Sequence, residues 1–343
     1  MSIHSGRNSQ KHWRMDLIGI DSNPVPSGAI SGAIKTSDGV TLRFARWRPT
    51  ARRVQGTVCL FQGRAEQIEK YFEVVGDLRR RGFAVATLDW RGQGGSDRQL
   101  RNRRKGHVDN FSAYEQDLDA FMQEVVLPDC PPPHFALAHS TGALICLRAV
   151  QSGRTRFMRM VLSAPLFGLK PKTPKNMSEQ TACRLATTLT ALGFGELDAP
   201  GGERPLEETV FEGNPFSRDP IRYARNVEIL KMAPDLAIGP PTIGWVYAAC
   251  RAIREARDPH FGLSIRTPVL AVVPALDRIV SVSAIETLVT GLRAGGQVVI
   301  SGAEHELLME RDAIREQFWA AFDAFIPGTR VSESATQEST VWA

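Results

Sequence analysis

The sequence predicts an α/β fold: a mainly parallel sheet with helices on both faces and a helical cap inserted over the carboxyl ends of the strands. Three observations predict it. Short apolar runs alternate with amphipathic stretches along most of the 343 residues. The connections between them are short. The alternation lapses once, between residues 168 and 262, where Pro and Gly are scattered among helical stretches and no strand stands out. Alternation of this kind favours parallel pairing, because each helix returns the chain to the same end of the sheet.

The elements follow in order. Ala29 to Thr36 and Val40 to Trp47 flank Asp38-Gly39, a hairpin turn signal. Gln55 to Gln62 is a buried strand. Glu66 to Arg81 is helical, with Ile68, Phe72, Val75 and Leu78 at helical spacing and Gly82 as its stop. Phe83 to Leu88 is the next strand. Asn110 to Val126 places Tyr114, Leu118, Phe121 and Val125 on one helical face. The strand His134 to His139, the helix Thr141 to Gln151 and the strand Arg159 to Ala164 follow. After the lapse come the strand Pro268 to Val273, the helix Val282 to Leu292, the strand Gln297 to Ser301 and the helix Glu306 to Phe325. The domains are then a mobile N-terminal arm (1–28), a core in two pieces (29–167 and 263–327), the cap (168–262) and a flexible tail (328–343).

Composition removes several classes. With 43% hydrophobic and 23% charged residues the chain can bury a core, which excludes bulk disorder. No apolar run approaches the ~20 residues of a membrane-spanning helix, and the N-terminus lacks the pattern of a secretory signal. Five cysteines are an odd number without CxxC spacing, and several sit in apolar runs and read as small core residues. A reducing, cytoplasmic setting is the expectation. A net charge of +5 with scattered charges does not point to nucleic acid. The one dense run is Arg98, Arg101, Arg103, Arg104 and Lys105. It is either a solvated loop or an attractor for a phosphate group or an anionic membrane surface. No metal-ligand spacing is present, so no metal or organic cofactor is expected.

In open sheets sites form at the carboxyl ends of strands. Ser140 stands there, in Ala138-His139-Ser140-Thr141-Gly142, between a strand and a helix. That is the pattern of a nucleophile elbow, whose tight turn needs small residues two before and two after the serine. The plain alternative is a helix N-cap. A serine needs a base, and the base needs an acid to hold its tautomer. His305 follows one late strand and Asp277 another; Glu304, Glu306 and Asp258 are rival acids. Alone, His305 and Asp277 read as loop residues. Together, the order Ser140, Asp277, His305 is the one such a fold requires. Oxyanion donors are expected from the backbone of Thr141 and from the loop at Gln62-Gly63-Arg64.

These residues resemble an α/β-hydrolase of the monoacylglycerol lipase and bacterial lysophospholipase type, the serine aminopeptidase-like hydrolases. The resemblance rests on Phe61 to Glu66 with Tyr71, on Asp89-Trp90-Arg91-Gly92-Gln93-Gly94-Gly95-Ser96, on Ala138 to Gly142, on Asp277, on Glu304-His305-Glu306 and on Gly239 to Trp245 in the cap. It spans roughly residues 24 to 327. It implies Ser140 as nucleophile, Asp277 as acid, His305 as base and the amides of Arg64 and Thr141 as the oxyanion hole. Family members commonly carry His-Gly where this chain has Gln62-Gly63.

The expected activity is cleavage of a single-chain lipid ester, a lysophospholipid or monoacylglycerol. Gln62, Gly63 and Trp245 are candidate substrate contacts. The competing expectations are an aminopeptidase with the same triad, its amine held by Glu207, Glu208 or Glu212; a short-chain esterase; and a non-catalytic binding protein.

Overall fold

The computed structural model describes residues 15–170, 177–202 and 205–328. Eight strands form one sheet: β1 (Ile30–Lys35), β2 (Thr41–Trp47), β3 (Gly56–Phe61), β4 (Phe83–Leu88), β5 (His134–His139), β6 (Met160–Ser163), β7 (Val269–Pro274) and β8 (Gly295–Ile300). Their spatial order is β1-β2-β4-β3-β5-β6-β7-β8. The β1–β2 hairpin joins β4 antiparallel, and every pair from β4 to β8 is parallel. The central strands β3, β4, β6 and β7 are buried at every residue. They therefore read as continuous apolar runs rather than as an alternation.

Helices α1 (Phe72–Arg80), α2 (Ser112–Phe121) and α3 (Thr141–Gln151) precede the cap. The cap carries α4 (Glu179–Ala191), α5 (Pro220–Met232), α6 (Ile243–Ala256) and α7 (Pro259–Ser264). Helices α8 (Val282–Gly291) and α9 (Asp312–Phe325) complete the core. Phe72, Val75 and Leu78 of α1 share one core with Phe318 and Phe322 of α9. Leu118 and Phe121 of α2, Leu144 and Leu147 of α3 and Ile285 of α8 fill the other, together with Trp245 and Ala249 of the cap. Each fully buried Leu or Phe contributes roughly 1.5–3 kcal/mol of transfer free energy. The cap is thus packed into the second core and is part of the domain.

The helix predicted from Glu66 begins later. Ile68–Tyr71 is a 3₁₀ turn, and the α-helix starts at Phe72. The helix predicted from Glu306 likewise starts at Asp312. In both cases the residues before the helix turn toward the centre of the molecule, as described below.

Two expectations are corrected. The arm predicted for residues 1–28 lies outside the described residues up to 14, but its second half is docked rather than mobile. Trp47 Nε1 donates to the Pro26 carbonyl at 3.0 Å, and Asn23 Nδ2 donates to Glu69 O at 2.8 Å. Leu17 and Val25 pack on the core. The cysteines are not all unpaired: Cys183 of α4 and Cys250 of α6 form a disulfide, while Cys59, Cys130 and Cys146 are buried thiols. The two partners are 67 residues apart and meet only because α4 lies along α6. That bond removes the ground for a reducing, cytoplasmic compartment. Three cations of the basic run also make contacts within the molecule, at its surface. Arg98 donates to Asp235 O at 2.8 Å and Lys105 to Glu196 O at 2.7 Å, while Arg104 binds Glu207, Glu208 and the Pro234 carbonyl. These three cations fasten the loop after β4 to the cap, while Arg101 is exposed. No helix among the described residues is long and apolar enough to cross a membrane.

Candidate active site

Ser140 sits at the turn from β5 into α3 with φ +48° and ψ −114°. A non-glycine residue rarely takes such a backbone, and here the surroundings hold it. Ser140 N–H donates to Ser163 O at 3.0 Å, and its carbonyl accepts from Ala143 N at 3.1 Å and Leu166 N at 3.1 Å. Gly142 is required by close approach: a Cβ there would lie 2.5 Å from the Gln62 carbonyl oxygen. The small-residue rule read from the sequence therefore has a steric cause at this position.

The three distant side chains meet. His305 Nε2 is 3.1 Å from Ser140 Oγ, and His305 Nδ1 is 2.7 Å from Asp277 Oδ2. A carboxylate only accepts, so Nδ1 carries the proton and Nε2 is left to accept from the Ser140 hydroxyl. Asp277 is itself fixed: its Oδ1 accepts from Ile279 N at 2.7 Å and Val280 N at 2.9 Å. The rival acids have other partners. Glu304 pairs with Arg278 at 3.3 Å, and Asp258 caps α7 through His260 N at 2.8 Å.

Burial pushes the pKa of Asp277 up, but the adjacent imidazole and the two amides outweigh it and hold the carboxyl below its usual range. Burial likewise pushes His305 down; the Asp277 carboxylate, with Glu306 and Glu66 beyond it, overrides this and raises His305 above an ordinary imidazole. His139, whose ring centroid lies 4.8 Å from that of His305, goes the other way. Burial, helped by its charged neighbours His305 and Lys70, lowers it to about 4. His139 therefore stays neutral where His305 titrates. A base must be neutral to take a proton, so activity is expected to fall as pH drops through the raised pKa of His305. The acid limb of kcat/KM should have its midpoint above the 6.5 of a free imidazole. A pH–rate profile checks this, and a midpoint near 4 would assign the limb to the wrong histidine.

The loop after β3 is held from several sides. Glu66 accepts from the Gly63 amide and from Tyr71 Oη at 2.8 Å. Gln93 donates to both Gly63 O and Glu66 O at 2.9 Å. The motif from Asp89 to Ser96 is thus a buttress for this loop. Asp89 pairs with the buried Arg43 at 2.6 Å and accepts from Ile68 N at 3.0 Å and Gly95 N at 2.7 Å. The Gly63 amide is committed to Glu66, and the next amide along the loop is that of Arg64.

A cavity of about 280 Å³ opens over Ser140 and His305. Its walls are largely apolar: Leu166 and Ile279 after the strands, Leu185 and Leu189 from α4, Trp245 and Val246 from α6. Gly63, Arg64 and Thr141 also line it. Trp245 is held by its Nε1 donating to Tyr114 Oη at 3.1 Å and by the Arg64 guanidinium 5.5 Å from its ring centre. Gln62 does not line the cavity. Its side chain is fully buried, and its carbonyl accepts from Trp90 Nε1 at 3.0 Å. The expectation that Gln62 touches substrate is therefore corrected: it is a framework residue beneath the loop. Sequence reasoning placed Glu66, His139 and Glu306 in the motifs around the centre, Glu306 as a rival acid, but gave Glu66 and His139 no role and missed Lys70 altogether. For Lys70 the only hint in the sequence is a charged residue beside an apolar helical stripe.

Fold and site together define an α/β-hydrolase. The chain belongs to the family described as serine aminopeptidase, S33, whose sequence profile matches residues 52–312, and it is an ester-hydrolysing enzyme. It is similar to lysophospholipase L2 of Escherichia coli strain K12, 32% identical over 289 residues that cover 81% of this chain and 82% of that protein. A probable lysophospholipase L2 of Haemophilus influenzae is 29% identical over 273 residues, covering 80% and 84%. Solved structures share the fold. A soluble variant of monoglyceride lipase from Saccharomyces cerevisiae superposes with a TM-score of 0.67 at 17% identity, over 88% of this chain and 97% of that one. A carboxyl esterase from Bacillus coagulans gives 0.69 at 18%, over 89% and 100%.

Proposed function

We propose that the enzyme cleaves a single-chain lipid ester, a lysophospholipid in preference to a monoacylglycerol, through an acyl-enzyme on Ser140. The observation that carries the proposal is the Ser140–His305–Asp277 relay at the floor of an apolar cavity. In this cycle His305 takes the Ser140 proton as Oγ attacks the ester carbonyl, and Asp277 stabilises the resulting imidazolium. The amides of Arg64 and Thr141 receive the oxyanion. His305 then protonates the departing alcohol, and water repeats the sequence on the acyl-enzyme. The commitment of the Gly63 amide to Glu66 supports Arg64 as the loop donor. The cavity walls, Trp245 among them, suit one acyl chain. The likeness to two lysophospholipases favours a phosphate-bearing head group.

The aminopeptidase reading finds less support. Glu207 and Glu208 are both paired with Arg104, and neither they nor Glu212 line the cavity. A hydrolysis panel of lysophosphatidylcholine, lysophosphatidylglycerol, monoacylglycerol, short p-nitrophenyl esters and aminoacyl anilides tests the proposal. Turnover is expected to be fastest on long single-chain lysophospholipids. Turnover confined to short esters removes the lipid assignment, and turnover of anilides alone restores the peptidase.

A further inference from the structure

Beside the relay lies a cluster of ionisable groups that no step of the proposed cycle uses. Lys70 Nζ is 2.7 Å from Glu66 Oε1 and 2.6 Å from Glu306 Oε1. All three side chains are nearly or wholly shielded from solvent, at 4%, 4% and 12% exposure. The two carboxylates belong to different parts of the chemistry. Glu66 holds the Gly63 amide and so shapes the loop that carries Arg64. Glu306 directly follows the base His305, and its own N–H donates to Phe216 O of the cap at 2.8 Å. One ammonium therefore ties the oxyanion loop to the base loop.

We infer that Lys70 is a positioning residue for the reaction, its ammonium bridging Glu66 and Glu306 so that the oxyanion donors and His305 keep one fixed separation. The inference rests on the catalytic reading of Ser140 and His305. Its physical basis is the cost of burying charge. Two carboxylates this close repel each other, and a cation between them is what lets both remain in place. Burial opposes the charge on Lys70, but Glu306 and Glu66 outweigh it and raise its pKa, so the ammonium is charged at neutral pH; burial and Glu66 push Glu306 up, and Lys70 opposes that. Tyr71, donating to Glu66, and His139, 3.7 Å from Glu66, complete the polar surroundings. Glu306 and Glu66 both favour the charged form of His305, where the imidazolium forms during acylation.

A misplacement of about 1 Å can cost on the order of 10² in rate. Lys70→Met is therefore expected to lower kcat by roughly 10- to 100-fold, with KM changed less than about twofold. Lys70→Arg should restore most of the rate, because a guanidinium can also span two carboxylates. Glu306→Gln keeps the Lys70–Glu66 pair and cuts only the far end of the bridge. It should lower kcat in the same direction, and the double variant should lose little more than either single one.

The readouts are p-nitrophenyl ester kinetics and the rate at which a fluorophosphonate probe labels Ser140, neither of which depends on the natural head group. Thermal melts establish that each variant is folded. If Lys70→Met fails to fold, the Glu306→Gln kinetics decide alone. Wild-type kcat in folded Lys70→Met, wild-type kcat in folded Glu306→Gln, or losses that multiply in the double variant, would overturn the inference and leave the hydrolase reading intact. A wild-type chain that neither labels nor hydrolyses any ester overturns both.

Discussion

Ser140→Ala is expected to lower kcat by on the order of 10⁶, the scale of removing an acyl-transfer nucleophile, and to abolish fluorophosphonate labelling. The fold should survive. The backbone bonds of Ser140 to Ser163, Ala143 and Leu166 do not involve its hydroxyl. Its positive φ is no obstacle either, because Ala65 and Ala164 hold φ of 61° and 45° in the same molecule. What is lost is one hydrogen bond to His305 Nε2. The stability change should stay within about 1 kcal/mol. Ester hydrolysis and probe labelling measured beside a thermal melt separate the two effects. Undiminished hydrolysis by a folded Ser140→Ala protein would remove the acyl-enzyme on Ser140 and require a different nucleophile or direct attack by water.

Much of this centre was legible in the sequence because its logic is topological. A parallel sheet sends every strand's carboxyl end to one rim, so Ser140, Asp277 and His305 could be brought together by counting strands. The strands could be counted because β3, β4, β6 and β7 are buried on both faces and leave unbroken apolar runs. What lay beyond reach depends on side chains meeting across long separations. Lys70 looks like an ordinary polar residue near the start of an amphipathic helix; only the fold brings Glu306 to it. Cys183 and Cys250 carry no spacing signal, and they pair because α4 lies on α6. Arg98 and Arg104 read as a surface charge, yet the carbonyls and carboxylate they meet come from a cap whose packing no periodicity announces. Gln62 was misread for a related reason. Its position beside Gly63 suggested contact with substrate, whereas its side chain is enclosed by the core.

Asp277→Asn should cost about 10⁴ in kcat near neutral pH, even though it changes one atom and almost no volume. The hydrogen bonds around Asp277 explain why. Oδ1 accepts from the amides of Ile279 and Val280. An asparagine must place its carbonyl oxygen there, since its NH₂ would face two donors. The NH₂ is then turned toward His305 Nδ1. A donor at that position selects the imidazole tautomer with its proton on Nε2, and Nε2–H cannot accept from Ser140. Loss of the carboxylate charge also withdraws the main influence that raises His305, so what activity remains should have its acid limb at lower pH than the wild type. Steady-state kinetics across pH on Asp277→Asn, with a melt to confirm folding, read both effects. A loss below tenfold with an unmoved limb would show that the imidazole is oriented by something other than Asp277, and the acid would then have to be sought again among the carboxylates around His305.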